Sequence, residues 1–156
     1  MHNPVRVKLQ DIIDGMDFQF DGMSTYLNLT NGEVISVSGD DIRIAEEDKP
    51  IDDLPDWQQD NIEAAIDVIE NYENYKELPT KFDINEYSMM ENFCYELKNH
   101  DQRDLLLDAI NGRGAFRRFK DKVYQLGIEK DWFAFRDEQY KQVAIDWCDE
   151  HGITFE

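Results

Sequence analysis

The most concentrated group of side chains able to do chemistry is Gly112-Arg-Gly-Ala-Phe-Arg-Arg-Phe-Lys-Asp-Lys122, with five cations and one anion. Two glycines around Arg113, followed by a helical pattern, are the form of anion site that a polypeptide builds most readily. The first backbone N–H groups of a helix point outward, the dipole there is positive, and glycine lets a ligand close on the main chain. Arg113, Arg117 and Arg118 can add bidentate bonds to a phosphate or carboxylate, and Arg136 is a further cation downstream. The candidate anion-binding set is Gly112, Arg113, Gly114, Arg117, Arg118 and Arg136. Measured from Phe116 at ~100° per residue, the cations scatter: Lys120 near ~40°, Arg117 near ~100°, Arg118 near ~200° and Lys122 near ~240°. Arg117 stands four residues before Asp121 and is expected to pair with it, which leaves Arg113 and Arg118 as the principal ligands. The competing reading is a solvated helix face whose cations neutralise acidic neighbours. The motif lacks the Lys-Ser/Thr ending of a P-loop and the third glycine and leading strand of a dinucleotide fingerprint.

Other combinations point less clearly to chemistry. Trp132-Phe-Ala-Phe-Arg136 offers aromatics for stacking on a base. However, Phe116, Phe119, Tyr124, Trp132, Phe133 and Phe135 crowd into a short stretch, which is the density of a core shared by helices. His2, His100 and His151 have no i, i+4 partner, so no metal site is expected from them. Cys94 and Cys148 sit on or beside apolar stripes, which favours inert burial in a reducing compartment. The acidic runs Asp40-Asp41, Glu46-Glu47-Asp48 and Asp52-Asp53 lack the spaced oxygen ladder and glycine of a calcium loop. With 35 carboxylates in the chain, no acid/base dyad stands out from coincidence. No catalytic residue and no cofactor is assigned.

The elements that must position the turn follow from apolar spacing. Leu9, Ile12, Ile13 and Met16 predict a short helix weakened by Gly15. Residues 25–38 predict a hairpin through Asn31-Gly32, with a three-residue loop Thr30–Gly32 placing Leu27, Leu29, Ile35 and Val37 on one buried face. Residues 39–56 are acidic and contain Pro50 and Pro55, and read as a loop. A helix follows from an Asp56 cap to about Asn71, and residues 75–78 form an edge strand that Pro79 ends. Helices then start at a capping box Asp83–Glu86, at an Asp101 cap, over Ala115–Leu126 with Phe116, Phe119, Val123 and Leu126 inward, and over Trp132–Glu150. The fold class is α+β, a small antiparallel sheet with helices followed by a four-helix C-terminal half. We expect one compact domain over 1–156, with a candidate seam near 79–83 between an α/β first half and a helical second half.

The chain has 156 residues and 41% hydrophobic content, enough to fill a packed interior. No stretch approaches the ~20 apolar residues of a membrane span, and the N-terminal residues lack the apolar core of a secretion signal, so a cytoplasmic location is expected. Sixteen cations against 35 carboxylates leave a net charge of -19, densest between residues 51 and 100. That balance repels duplex nucleic acid and anionic lipid and suits a basic partner.

Gly112-Arg-Gly-Ala-Phe-Arg-Arg-Phe-Lys-Asp121, Trp132-Phe-Ala-Phe-Arg136, Ala144-Ile-Asp-Trp147 and Gly152-Ile153, with Leu78-Pro79 and Glu86-Tyr-Ser-Met-Met-Glu-Asn-Phe93 upstream, resemble a bacterial family, Uncharacterised Protein Family 0158. The resemblance covers roughly residues 75–153. It implies a small cytosolic protein with no established activity and carries no site residues across. The residues themselves point first to a non-enzymatic binding or regulatory module that takes an anionic, phosphate-bearing ligand at 112–118. The alternatives are the acidic middle third, residues 51–100, as a surface that docks a basic protein or mimics nucleic acid, and a phosphoester hydrolase or transferase with the arginines as clamps.

Overall fold

Leu9, Ile12 and Met16 share one helical face, and in the computed structural model of the chain all three are buried on α1 (Leu9–Asp17). The structure describes residues 6–19, 22–47 and 50–156; His2 and Asp48 lie outside these. The chain divides into two compact units, Met1–Thr80 with Ala144–Glu156, and Lys81–Val143.

In the first unit, β1 (Met23–Asn28) lies between β2 (Val34–Ser38) and the short edge strand β3 (Tyr75–Glu77), with both pairings antiparallel. The hairpin register corrects the expectation by one residue. Leu27 faces Val34, not Ile35, and Asn28 N–H bonds to Glu33 O at 2.8 Å, so the loop holds four residues. Two local bonds favour this longer loop: Thr30 N–H to Asn28 Oδ1 and Glu33 N–H to Asn31 Oδ1, each 2.9 Å. The expected single buried face fails because the sheet is covered on both sides. Thr25, Leu27 and Val34 look toward α1, where a Cβ on Gly15 would stand 2.8 Å from Leu78 Cδ1 and 2.9 Å from Val34 Cγ1. Gly15 therefore allows α1 to approach the sheet closely. Ile35 and Val37 share the other face with Tyr26 and Tyr75, and there the Tyr75 hydroxyl donates to Asp67 of α3 (Asp56–Glu70). Burial first, and Asp67 second, push that hydroxyl up to about 12.

Part of the acidic stretch read as a loop is instead a helix, α2 (Gly39–Glu46). Ser38 Oγ accepts from Asp41 N–H at 3.0 Å, and Asp40 and Asp41 lie in the positive first turn. The cap of α3 is Pro55, with Asp56 already inside the helix. Near the chain end, Val7 bridges Phe155, and Glu156 N–H returns to Val7 O at 2.9 Å.

The second unit is helical. It holds the single turn α4 (Lys81–Ile84), α5 (Glu86–Glu96), α6 (His100–Ala109), α7 (Ala115–Leu126) and α8 (Glu129–Glu150) as far as Val143. The caps are asparagines, not the aspartates expected: Asn85 accepts from Ser88 N–H at 3.2 Å and Asn99 from Gln102 N–H at 3.1 Å. Asparagine carries the same short acceptor and tolerates the φ of 55° that Asn85 adopts. The core is an aromatic cluster. Phe119 and Trp132 meet edge to face at 4.7 Å between centroids, and Phe93 lies 5.4 Å from Trp132 and 5.5 Å from Phe135. Each buried aromatic of this kind contributes about 1.5–3 kcal/mol through burial. Of the six aromatics read as a shared core, Phe116, Tyr124 and Phe133 are instead about half exposed.

Candidate functional site

The 111–118 turn is held by one side chain. α6 ends at Ala109, and Gly112 and Gly114 both adopt φ near +80° (79° and 76°), which turns the chain sharply into α7. Arg118, one turn inside α7, reaches back: its Nε donates to Ala109 O at 2.9 Å, and its two terminal nitrogens donate to Arg113 O and Asn111 O. A guanidinium presents five N–H groups in a fixed fork, and here the fork satisfies the last carbonyl of α6 and two carbonyls of the turn that follows. Carbonyls are neutral, so the positive charge of Arg118 is not cancelled.

At the start of α7, Gly114 has no side chain to cap the helix. The amides of Ala115, Phe116 and Arg117 find no acceptor among the described residues. Arg113 and Arg117 are exposed, and among the described residues no carboxylate pairs with either. The expected Arg117–Asp121 ion pair does not form. On the other flank of α7, Arg118 and Lys122 line a shallow cleft of about 400 Å³ with Asp108, Asp121 and Gln125.

Arg136 is placed elsewhere. Its guanidinium donates to Glu86 Oε1 at 2.9 Å and to the Tyr140 hydroxyl at 3.0 Å, and lies 4.2 Å from the centre of the Tyr140 ring. Tyr140, buried on α8, also donates to Glu86, and Lys81 Nζ stands 3.5 Å from the same carboxylate oxygen. Burial alone would raise the Glu86 carboxyl. The Tyr140 bond, the charge and bond of Arg136 and the charge of Lys81 outweigh it and hold the group below its ordinary value. This cluster had no local signal in the sequence, because Glu86 and Tyr140 are 54 residues apart and the capping-box reading of Glu86 points to a helix start and not to Tyr140.

The remaining candidates resolve simply. Trp132 and Phe135 belong to the aromatic core, so the stacking reading of that run does not apply to them. Cys94 and Cys148 are buried, and burial pushes both thiols up to about 11. Among the described residues no three His, Cys, Asp or Glu side chains gather as metal ligands, and no helix is long and apolar enough to cross a membrane.

Comparison with curated proteins and with solved structures finds no match. A family model does match. It is that of the uncharacterised protein family UPF0158, and it takes in residues 2–156, beyond the 75–153 stretch where the motifs are densest, so this chain belongs to that family.

Proposed function

We propose that the protein is a non-enzymatic binding or regulatory module whose 112–118 turn takes an anionic group of a ligand or partner. The observation that supports this reading is the pair Arg113 and Arg117, exposed and without a carboxylate partner among the described residues of a chain with net charge -19, beside the uncapped amides that open α7. Gly112 and Gly114 shape the turn, Arg118 fixes it, and Arg113 and Arg117 supply the ligand bonds. Arg136 stays with Glu86 and is no part of the site. A phosphate or carboxylate at this position gains charge-assisted bonds from both guanidinium groups and from the amides.

The test is isothermal titration at low ionic strength with inorganic phosphate, adenosine nucleotides and short oligonucleotides. Wild type is expected to bind at least one of these saturably, and Arg113→Ala/Arg117→Ala to weaken it by about tenfold or more, the equivalent of about 1.4 kcal/mol. Absence of saturable heat in wild type, or equal affinity in the double variant, overturns the reading.

A second reading concerns the first unit. Asp11, Asp14 and Glu33 ring a hollow of about 400 Å³ floored by Val34 and the exposed Phe18. This favours a basic protein partner, whose lysine or arginine stems would cover the ring. Such a partner is expected to co-purify in low salt and to dissociate as exposed charges are screened over ~8 Å at physiological ionic strength. Retention in high salt counts against it.

A further inference from the structure

α7 has two unlike faces. Ala115, Phe119 and Val123 are buried. Phe116, Arg117, Lys120 and Tyr124 are all exposed, Phe116 by 48% and Tyr124 by 59%. At ~100° per residue these four fall within a sector of about 100°, in the angular order Phe116, Lys120, Tyr124, Arg117. Arg113, also exposed, lies in the turn just before the helix. The two rings are eight residues apart, about 12 Å along the axis, and Lys120 stands midway between them in sequence. Like Arg113 and Arg117, Lys120 is in no ion pair among the described residues. Scattered exposed aromatics need no explanation. Two on one stripe, interleaved with unpaired cations in a chain of net charge -19, are a different matter, because the stripe opposes the sign of the rest of the molecule.

The chemistry of the stripe selects its occupant. Unstacked bases present π faces to aromatic rings, and the linking phosphates present charge to the intervening cations. A duplex hides its base faces in its own stack, and an acidic peptide would use the cations but leave both rings without a role. We propose that the outer face of α7 binds single-stranded nucleic acid over about two or three nucleotides, with bases against Phe116 and Tyr124 and phosphates at Arg113, Arg117 and Lys120. This rests on the anion reading of the turn, and names its ligand. The net negative charge slows approach but is screened beyond ~8 Å in physiological salt. Three phosphate contacts predict a shallow salt dependence, with a log–log slope of about -2.

The experiment is fluorescence anisotropy on the full chain with a labelled oligothymidylate of about 12 nucleotides, an abasic strand of equal length, a duplex of equal length and an acidic peptide. Inorganic phosphate serves as competitor, and the proteins are wild type, Phe116→Ala/Tyr124→Ala and Arg113→Ala/Arg117→Ala. Wild type is expected to favour oligothymidylate over the abasic strand by about tenfold. The aromatic double variant should lose that advantage while binding the abasic strand as before, and the arginine double variant should lose both. Abasic and thymidine strands binding equally, with the aromatic variant unchanged, overturns the stacking proposal and leaves the anion site standing. No binding of strand or phosphate by wild type overturns both. Preference for the duplex or for the acidic peptide overturns the single-strand assignment alone.

Discussion

Arg118 and Arg136 are both arginines on long helices of the Lys81–Val143 unit, and they are used in opposite ways. Arg136 meets a carboxylate: Glu86 pairs with its charge, and the Tyr140 hydroxyl and Lys81 reach the same oxygen, so the guanidinium is not left to act outward. Arg118 meets only carbonyls, and its three bonds to Ala109, Asn111 and Arg113 fix the turn without cancelling anything. One region uses a cation to bury polar groups. The other uses a cation to shape a surface on which Arg113 and Arg117 stay exposed. Counting charges along the chain treats the two alike. What separates them is the formal charge of the acceptor, and that determines where a positive field survives in an acidic protein.

The largest effect is expected at Glu86. Glu86→Ala removes the carboxylate to which a mostly buried guanidinium and the Tyr140 hydroxyl both donate. Removal of one partner of a fully buried pair costs ~3–5 kcal/mol, and because about a fifth of each side chain still meets solvent, we expect about 3 kcal/mol at pH 7. Because the folded carboxyl lies below the ordinary 4.5, its contribution is fully present above that value and is lost as pH falls through the depressed folded value. The gap between wild type and Glu86→Gln in urea melts should be wide at pH 7 and should shrink as pH falls below the ordinary carboxylate range. A gap independent of pH would show that the ionised carboxylate is not what holds Arg136.

A smaller effect is expected at Arg118. Arg118→Ala frees three carbonyls, but these lie at the surface and water replaces much of what is lost, so about 2 kcal/mol is the expected loss. The guanidinium does not titrate, so this loss should stay flat over the pH range in which the Glu86 effect fades. Arg118→Lys should recover only part of it, since an ammonium cannot span three divergent carbonyls. Thermal melts of the two variants at pH 4 and pH 7 separate the cases. Full rescue by lysine would mean that charge at the end of α6, not the fork, does the holding.

The turn and α7 were legible in the sequence for a local reason. Apolar period, a glycine pair before and Gly127 after all lie within a few residues of the helix they delimit, and α7 runs from Ala115 to Leu126 as expected. The α+β class and the pairing of residues 75–77 were readable in the same way. The failures are tertiary. The register of the hairpin depended on whether one face of the sheet or both are covered, which alternation within two strands does not reveal. Phe116 extends the apolar period of Phe119 and Val123 and so reads as inward; its position at the edge of that stripe is decided by what packs against α7. The Glu86 cluster joins groups 50 and 54 residues apart, and no local pattern announces such a meeting. Ser38 and Asp41 carry the cap of α2, but in the sequence two residues weigh little against acidic density and a nearby proline, which together read as a loop.

The smallest effect is expected from a pair of glycine substitutions in the turn. Gly112 and Gly114 have nearly the same backbone, φ 79° and 76°, so an alanine at either pays the same left-handed cost, about 1 kcal/mol. Their surroundings differ. A Cβ at Gly112 meets nothing within 4 Å, whereas one at Gly114 stands 3.2 Å from Arg118 Nη1. Gly112→Ala therefore measures the backbone cost alone, and the excess in Gly114→Ala measures the displacement of Arg118 from its carbonyls. We expect that excess to be a few tenths of a kcal/mol, since the tip of a long side chain moves easily, and to vanish in an Arg118→Ala background. A double-mutant cycle in urea reads it. If the excess survives without Arg118, the alanine disturbs the entry to α7 itself, and the turn is set by its glycines rather than by the guanidinium that bridges it.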